Sequence, residues 1–128
     1  MAWVDLTGSG VETIAHLREN GRITLMFCAL EGPPKIVRLY GHGTVVEPGD
    51  GEFPALRARF GAFEAVRSVI RVALVRIADS CGYGVPLFRW EGQRTQLGEW
   101  ARRKGADGVE AYRRASNRKS IDGLPGVR

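Results

Sequence analysis

The chain has 128 residues, 44% hydrophobic and 26% charged, the size and balance of one globular domain spanning 1–128 with a core of its own. No apolar run reaches the roughly 20 residues that cross a bilayer, and the N-terminus lacks a secretory signal, so a soluble cytoplasmic protein with no membrane partner is expected. The net charge of +5 is concentrated after residue 89 among interleaved acids, which suits a solvated helical surface better than a nucleic-acid partner.

In chain order, residues 2–6 are short, apolar and β-prone, and they run into the turn TGSG, Thr7 to Gly10. Residues 11–20 read as a helix with Val11, Ile14 and Ala15 on one face and Gly21 as its stop. Ser9 is the expected N-cap, with Glu12 three residues later completing a capping box. Residues 22–30 form a strand apolar on both sides, as expected of a wall buried on both faces. The connector EGPPK cannot lie in a central strand. Residues 36–46 form a two-faced strand, with Val37, Leu39, Gly41, Gly43 and Val45 opposite Arg38, Tyr40, His42 and Thr44. Its two glycines predict a bulge or a close backbone approach.

PGDG is a turn, residues 52–60 a short helix, and residues 66–78 a Val- and Ile-rich strand. SCGYGVP, residues 80–86, reads as a flexible loop. Two helices follow in a C-terminal extension, 93–118: the first ends at Gly105, and the second starts on a capping box of Asp107 and Glu110. The tail SIDGLPGVR has no periodicity and is expected to be extended.

Common catalytic signatures are absent: there is no GxGxxG after a strand, no Walker loop, no GxSxG and no HExxH. His16 and His42 are the only histidines and no CxxC is present, so no metal site is expected. Cys28 and Cys81 make no disulfide framework, and no base is indicated beside Cys81. The strand–TGSG–helix junction is the best candidate site. A helix N-terminus offers unpaired N–H groups to an anion, Gly8 and Gly10 let a ligand approach, and Thr7, Ser9 and Thr13 add hydroxyls. Glu12 opposes a phosphate there. Composition and spacing alone leave open whether this is a phosphate site or a capped helix.

The order of DLTGSGVETIAHLRENGRITLMF and KIVRLYGHGTVV resembles the pyridoxamine 5′-phosphate oxidase-like family of FMN-binding split barrels, and SCGYGVP and SIDGLPG are similar to stretches of a bacterial subgroup of it. The resemblance implies a mainly β (α+β) split β-barrel of the FMN-binding type with C-terminal helices. It implies an FMN-dependent oxidoreductase acting on a small-molecule substrate, as a homodimer with the flavin at the interface. The implied cofactor-binding residues are Thr7, Gly8, Ser9, Gly10, Val11, Glu12 and Thr13 around the phosphate and ribityl chain, with Arg38 and Tyr40 approaching the flavin or lying on a solvated strand face. No catalytic residue is identified. Glu12 stands where the family often has a basic residue, and the family's opening hairpin is not found ahead of Ala2. Alternatives are a deazaflavin or haem binder, or a non-enzymatic split-barrel dimer that stores a ligand or has lost its flavin site.

Overall fold

A computed structural model describes residues 1–128. The elements are β1 (Ala2–Leu6), α1 (Glu12–Asn20), β2 (Arg22–Cys28), β3 (Lys35–Val46), α2 (Phe53–Arg57), β4 (Val66–Cys81) and α3 (Gln96–Ser116). The strands make one antiparallel sheet in the order β1-β4-β3-β2, curled into a half-barrel, so the fold is mainly β and of the split-barrel kind.

The central hairpin is set by the alternation in β3 and the Val/Ile content of β4. These strands pair from Lys35↔Cys81 to Val46↔Val69 with one register shift at Tyr40/Gly41. Both glycines of β3 mark close approaches. A Cβ on Gly41 would lie 2.5 Å from the Ala73 carbonyl oxygen, and one on Gly43 would lie 2.6 Å from Leu17 Cδ2. The first glycine permits the bulge; the second lets α1 settle on the sheet.

Helix α1 ends as its sequence implies. Gly21 is left-handed, at φ 71°, and its N–H donates to the Leu17 carbonyl at 2.9 Å, the conformation glycine adopts without steric cost. Its apolar face carries the core: Val11, Ile14 and Leu17 pack against Ile70 and Val72, with Trp3, Ile23, Val45 and Val127 around them. Within α3, Gly105 is non-helical at φ 67° and breaks the segment into two helical runs. Trp100 from the first run meets Tyr112 from the second edge-on, with centroids 5.0 Å apart.

Several sequence expectations are corrected. Helix α1 begins at Glu12 and no side chain caps it; Ser9 is exposed, and the Glu12 carboxylate instead accepts the Ile121 N–H at 3.1 Å. The C-terminal tail competes successfully for that carboxylate, so there is no capping box. Glu110 likewise faces Arg113 and Arg114. Strand β2 is not buried on both faces, because it is the sheet's edge, and Met26 and Phe27 are 59% and 49% exposed. Strand β4 runs on to Cys81, taking in the start of the expected loop. The tail is folded, not extended: Lys119 bridges Pro125, and Gly123, at φ 83°, closes a turn onto the Ser120 carbonyl.

Candidate functional site

The TGSG turn leaves β1 where that strand meets the beginning of β4, Leu6 being paired with Val66. Thr7 is fully buried. Its hydroxyl donates to the Ala65 carbonyl at 2.8 Å and accepts from Arg113 Nε at 2.8 Å, so it holds the turn and does not face outward. Asn117 Nδ2 donates to the Gly8 carbonyl at 2.9 Å, and an Arg67 amino group donates to the Gly10 carbonyl at 2.8 Å. Asp5 accepts from Arg67 Nε at 2.6 Å, and Asn117 Oδ1 accepts from Arg67 at 3.0 Å. Carbonyls on the inner side of the turn are thereby wired to β4 and α3.

The outer side is different. No backbone or side-chain group of the chain accepts the N–H of Gly10 or Val11. Ser9 and Thr13 are exposed next to them, whereas Val11 is buried in the core. Glu12 turns toward Ile121 and His16. The junction therefore keeps free donors and two outward hydroxyls, the groups a phosphate needs.

Arg38 and Tyr40 lie elsewhere. Arg38 donates to Ser80 Oγ at 2.9 Å, and Tyr40 lies under the Arg76 guanidinium, 5.8 Å from its ring centroid. These side chains share one face of the far half of the sheet, since Arg38 opposes Ala78 and Tyr40 opposes Arg76. Tyr40 borders a groove with His16, Glu19 and Asn20 in the second half of α1, whereas the free donors lie ahead of Glu12 at the other end of that helix, roughly 13 Å away at helical rise. One chain places the two groups of the expected site toward opposite ends of α1.

The same far half is poorly covered. Leu74, Val75 and Ile77 are exposed, the last two by 68% and 66%, alongside Met26 and Phe27 of β2. Tyr83, Leu87, Phe88 and Trp90, in the segment after β4, are exposed as well. By the pairing, Ile77 and Phe27 lie on one face and Met26, with Arg38 and Tyr40, on the other, so both faces beside the open edge carry exposed apolar groups, which marks an interaction surface.

The sequence reading missed Arg67, Arg113 and Asn117. Arg67 is 57 residues from the Gly10 carbonyl it holds, so spacing carries no sign of it. A faint signal existed in α3: Val109, Arg113 and Asn117 follow at i, i+4 and i+8, which continues the inward stripe of the helix with polar residues.

A half-barrel of four antiparallel strands, with a helix on its core face and a helical C-terminal segment, defines a split-barrel protein. A protein of the fungus Aspergillus flavus, described as "Pyridoxamine 5'-phosphate oxidase family protein ustO", is 39% identical to it over 142 aligned positions, covering 99% of this chain and 57% of the relative. Over this shared segment the chain belongs to the pyridoxamine 5′-phosphate oxidase family. It spans somewhat more than half the length of that relative. No family model matches the chain, and no solved structure matches it.

Proposed function

We propose that the protein binds FMN between two copies of the chain and acts as an FMN-dependent oxidoreductase on a small molecule. The observation that carries this reading is the pair of free N–H donors at Gly10 and Val11 beside two outward hydroxyls, together with the exposed apolar residues near Arg38 and Tyr40. A two-fold pairing through the far half of the sheet would cover Val75, which borders one groove with Tyr40, and bring Arg38, Tyr40 and Arg76 of one copy toward the turn of the other. In that arrangement the N–H groups of Gly10 and Val11, with Ser9 and Thr13, would hold the phosphate. Thr7 would keep the turn in shape through Ala65 and Arg113. The guanidinium of Arg38 and the phenol of Tyr40 would orient the ring system by hydrogen bonding and stacking. When bound, the flavin supplies the redox chemistry, and the protein supplies position and electrostatics.

Titration of the purified protein with FMN and with riboflavin, followed by quenching of flavin fluorescence, tests this. Saturable quenching by FMN is expected. Thr13→Ala is expected to weaken FMN more than riboflavin, because only FMN carries the phosphate; equal weakening would remove the phosphate assignment. Glu12→Gln is expected to leave FMN binding equal or tighter, since it removes a like charge from the first turn. One observation favours a second reading, a family member without flavin: Glu12 places a carboxylate in that turn, and the Thr7 hydroxyl is already engaged. A colourless preparation with no response to FMN, deazaflavin or haem would decide for it.

A further inference from the structure

A cleft of about 480 Å³ lies between the 47–50 turn, the start of β4, the end of α3 and the C-terminus. It brings together five guanidinium groups and three carboxylates and has a single hydrophobic residue in its wall. Asp5, which pairs with Arg67 from behind, and Arg18, which pairs with Glu47, offset each other. The side chains of the cleft therefore keep an excess of two positive charges, one of which the terminal carboxylate of Arg128 offsets.

The arginines are not equally engaged. Arg67 is saturated by Asp5, Gly10 and Asn117, and Arg128 by Glu47 and Asp50. Arg114 has only the Glu110 carboxylate, at 3.7 Å and largely exposed. The Arg118 side chain has no hydrogen bond and no ion pair anywhere in the chain, and it borders the cleft. Arg113 is held below the ordinary arginine value, first by burial and further by the charge of Arg67. These positive groups have fewer counter-charges than they can use.

We infer that this cleft is a second anion site, which takes the phosphate group of a small molecule through Arg114 and Arg118. A tetrahedral dianion suits it because planar guanidinium forks pair with phosphate oxygens two at a time, and because the walls offer almost nothing to an apolar ligand. The site is separate from the outward donors of Gly10 and Val11. It touches the same turn from inside, since Arg113 and Arg67 hold Thr7 and Gly10.

The test is titration of the isotopically labelled protein with inorganic phosphate and, separately, with glycerol phosphate, at constant ionic strength set with chloride. Saturable shifts are expected at the amides of residues 47–50 and 114–118, and the tighter of the two probes shows whether the free ion or an ester is preferred. Arg114→Gln with Arg118→Gln removes no hydrogen bond that holds the fold. It is expected to weaken binding by about tenfold or more, the effect of losing a charge-assisted contact. Absence of saturable shifts would overturn the inference, as would shifts confined to residues 9–13 or unchanged affinity in the double variant. A protein that binds phosphate here but takes up no FMN would keep this site and lose only the flavin reading.

Discussion

Asn117 shows how much one buried polar side chain can hold. It is fully buried, donates to the Gly8 carbonyl and accepts from Arg67, so it joins α3, β4 and the TGSG turn. Asn117→Ala would leave the Gly8 carbonyl without its side-chain donor and one Arg67 N–H without its acceptor, at a cost of about 1–3 kcal/mol. Urea unfolding should show a lower midpoint at unchanged slope, and an unchanged midpoint would mean that water replaces the amide. Glu47 is the corresponding ionised group. Burial raises its pKa, but hydrogen bonds from Arg128 and the charge of Arg18 outweigh that and hold it below its ordinary value of 4.5. A carboxylate depressed in the folded state contributes stability that is complete above its unfolded pKa and is lost as pH falls through the folded one. Thermal stability is therefore expected to fall below about pH 4.5, and Glu47→Gln should flatten that part of the profile. A variant with the same acid limb as the parent would assign the loss to other groups.

At the scale of elements, the two glycines of β3 make a paired test. The obstacle to a Cβ at Gly41 is the Ala73 backbone carbonyl, whereas at Gly43 it is the end of the Leu17 side chain. A side chain can change rotamer and a sheet backbone cannot move without breaking its ladder. Gly41→Ala is therefore expected to destabilise by about 2–3 kcal/mol and Gly43→Ala by about 1 kcal/mol; the reverse order in denaturant melts would mean that the bulge at Tyr40/Gly41 can relax. Both close approaches were readable as glycines in a strand, and so was the stop at Gly21. The N-terminus of α1 was misread for a specific reason. Ser9 and Glu12 satisfy the spacing of a capping box, but Ile121, more than a hundred residues away, presents an N–H that takes the Glu12 carboxylate. Local pattern cannot register a competitor that arrives through the fold.

For the whole molecule, the consequential feature is the uncovered far half of the sheet. Strand β2 alternates apolar residues on both faces, yet in one chain it is an edge with Met26 and Phe27 exposed. A second copy of the chain would account for both facts. Light scattering after size exclusion should then give twice the 14.1 kDa chain mass. Val75→Lys with Ile77→Lys should give a folded monomer, because like charges resist burial in an interface. A parent protein that is already monomeric at micromolar concentration would sink the pairing, and with it the shared flavin site.

Periodicity, punctuation and motif order were sufficient to place all four strands, α1 and the break at Gly105, and to suggest the family, because strand alternation and the special backbone angles of glycine act within a few residues. They also marked the TGSG turn as the place where a ligand would meet free N–H groups. Only the tertiary structure decided which of those residues face outward. Thr7 turns inward because Arg113 and Ala65 reach it, Ser9 and Thr13 remain outside, and Arg38 with Tyr40 stands further along the sheet, beyond the far end of α1. The arginine cleft belongs to the same category, since its walls come from segments up to 81 residues apart in the chain. Such arrangements depend on long-range pairing and on which groups compete best for each buried donor and acceptor, and neither is written in local spacing.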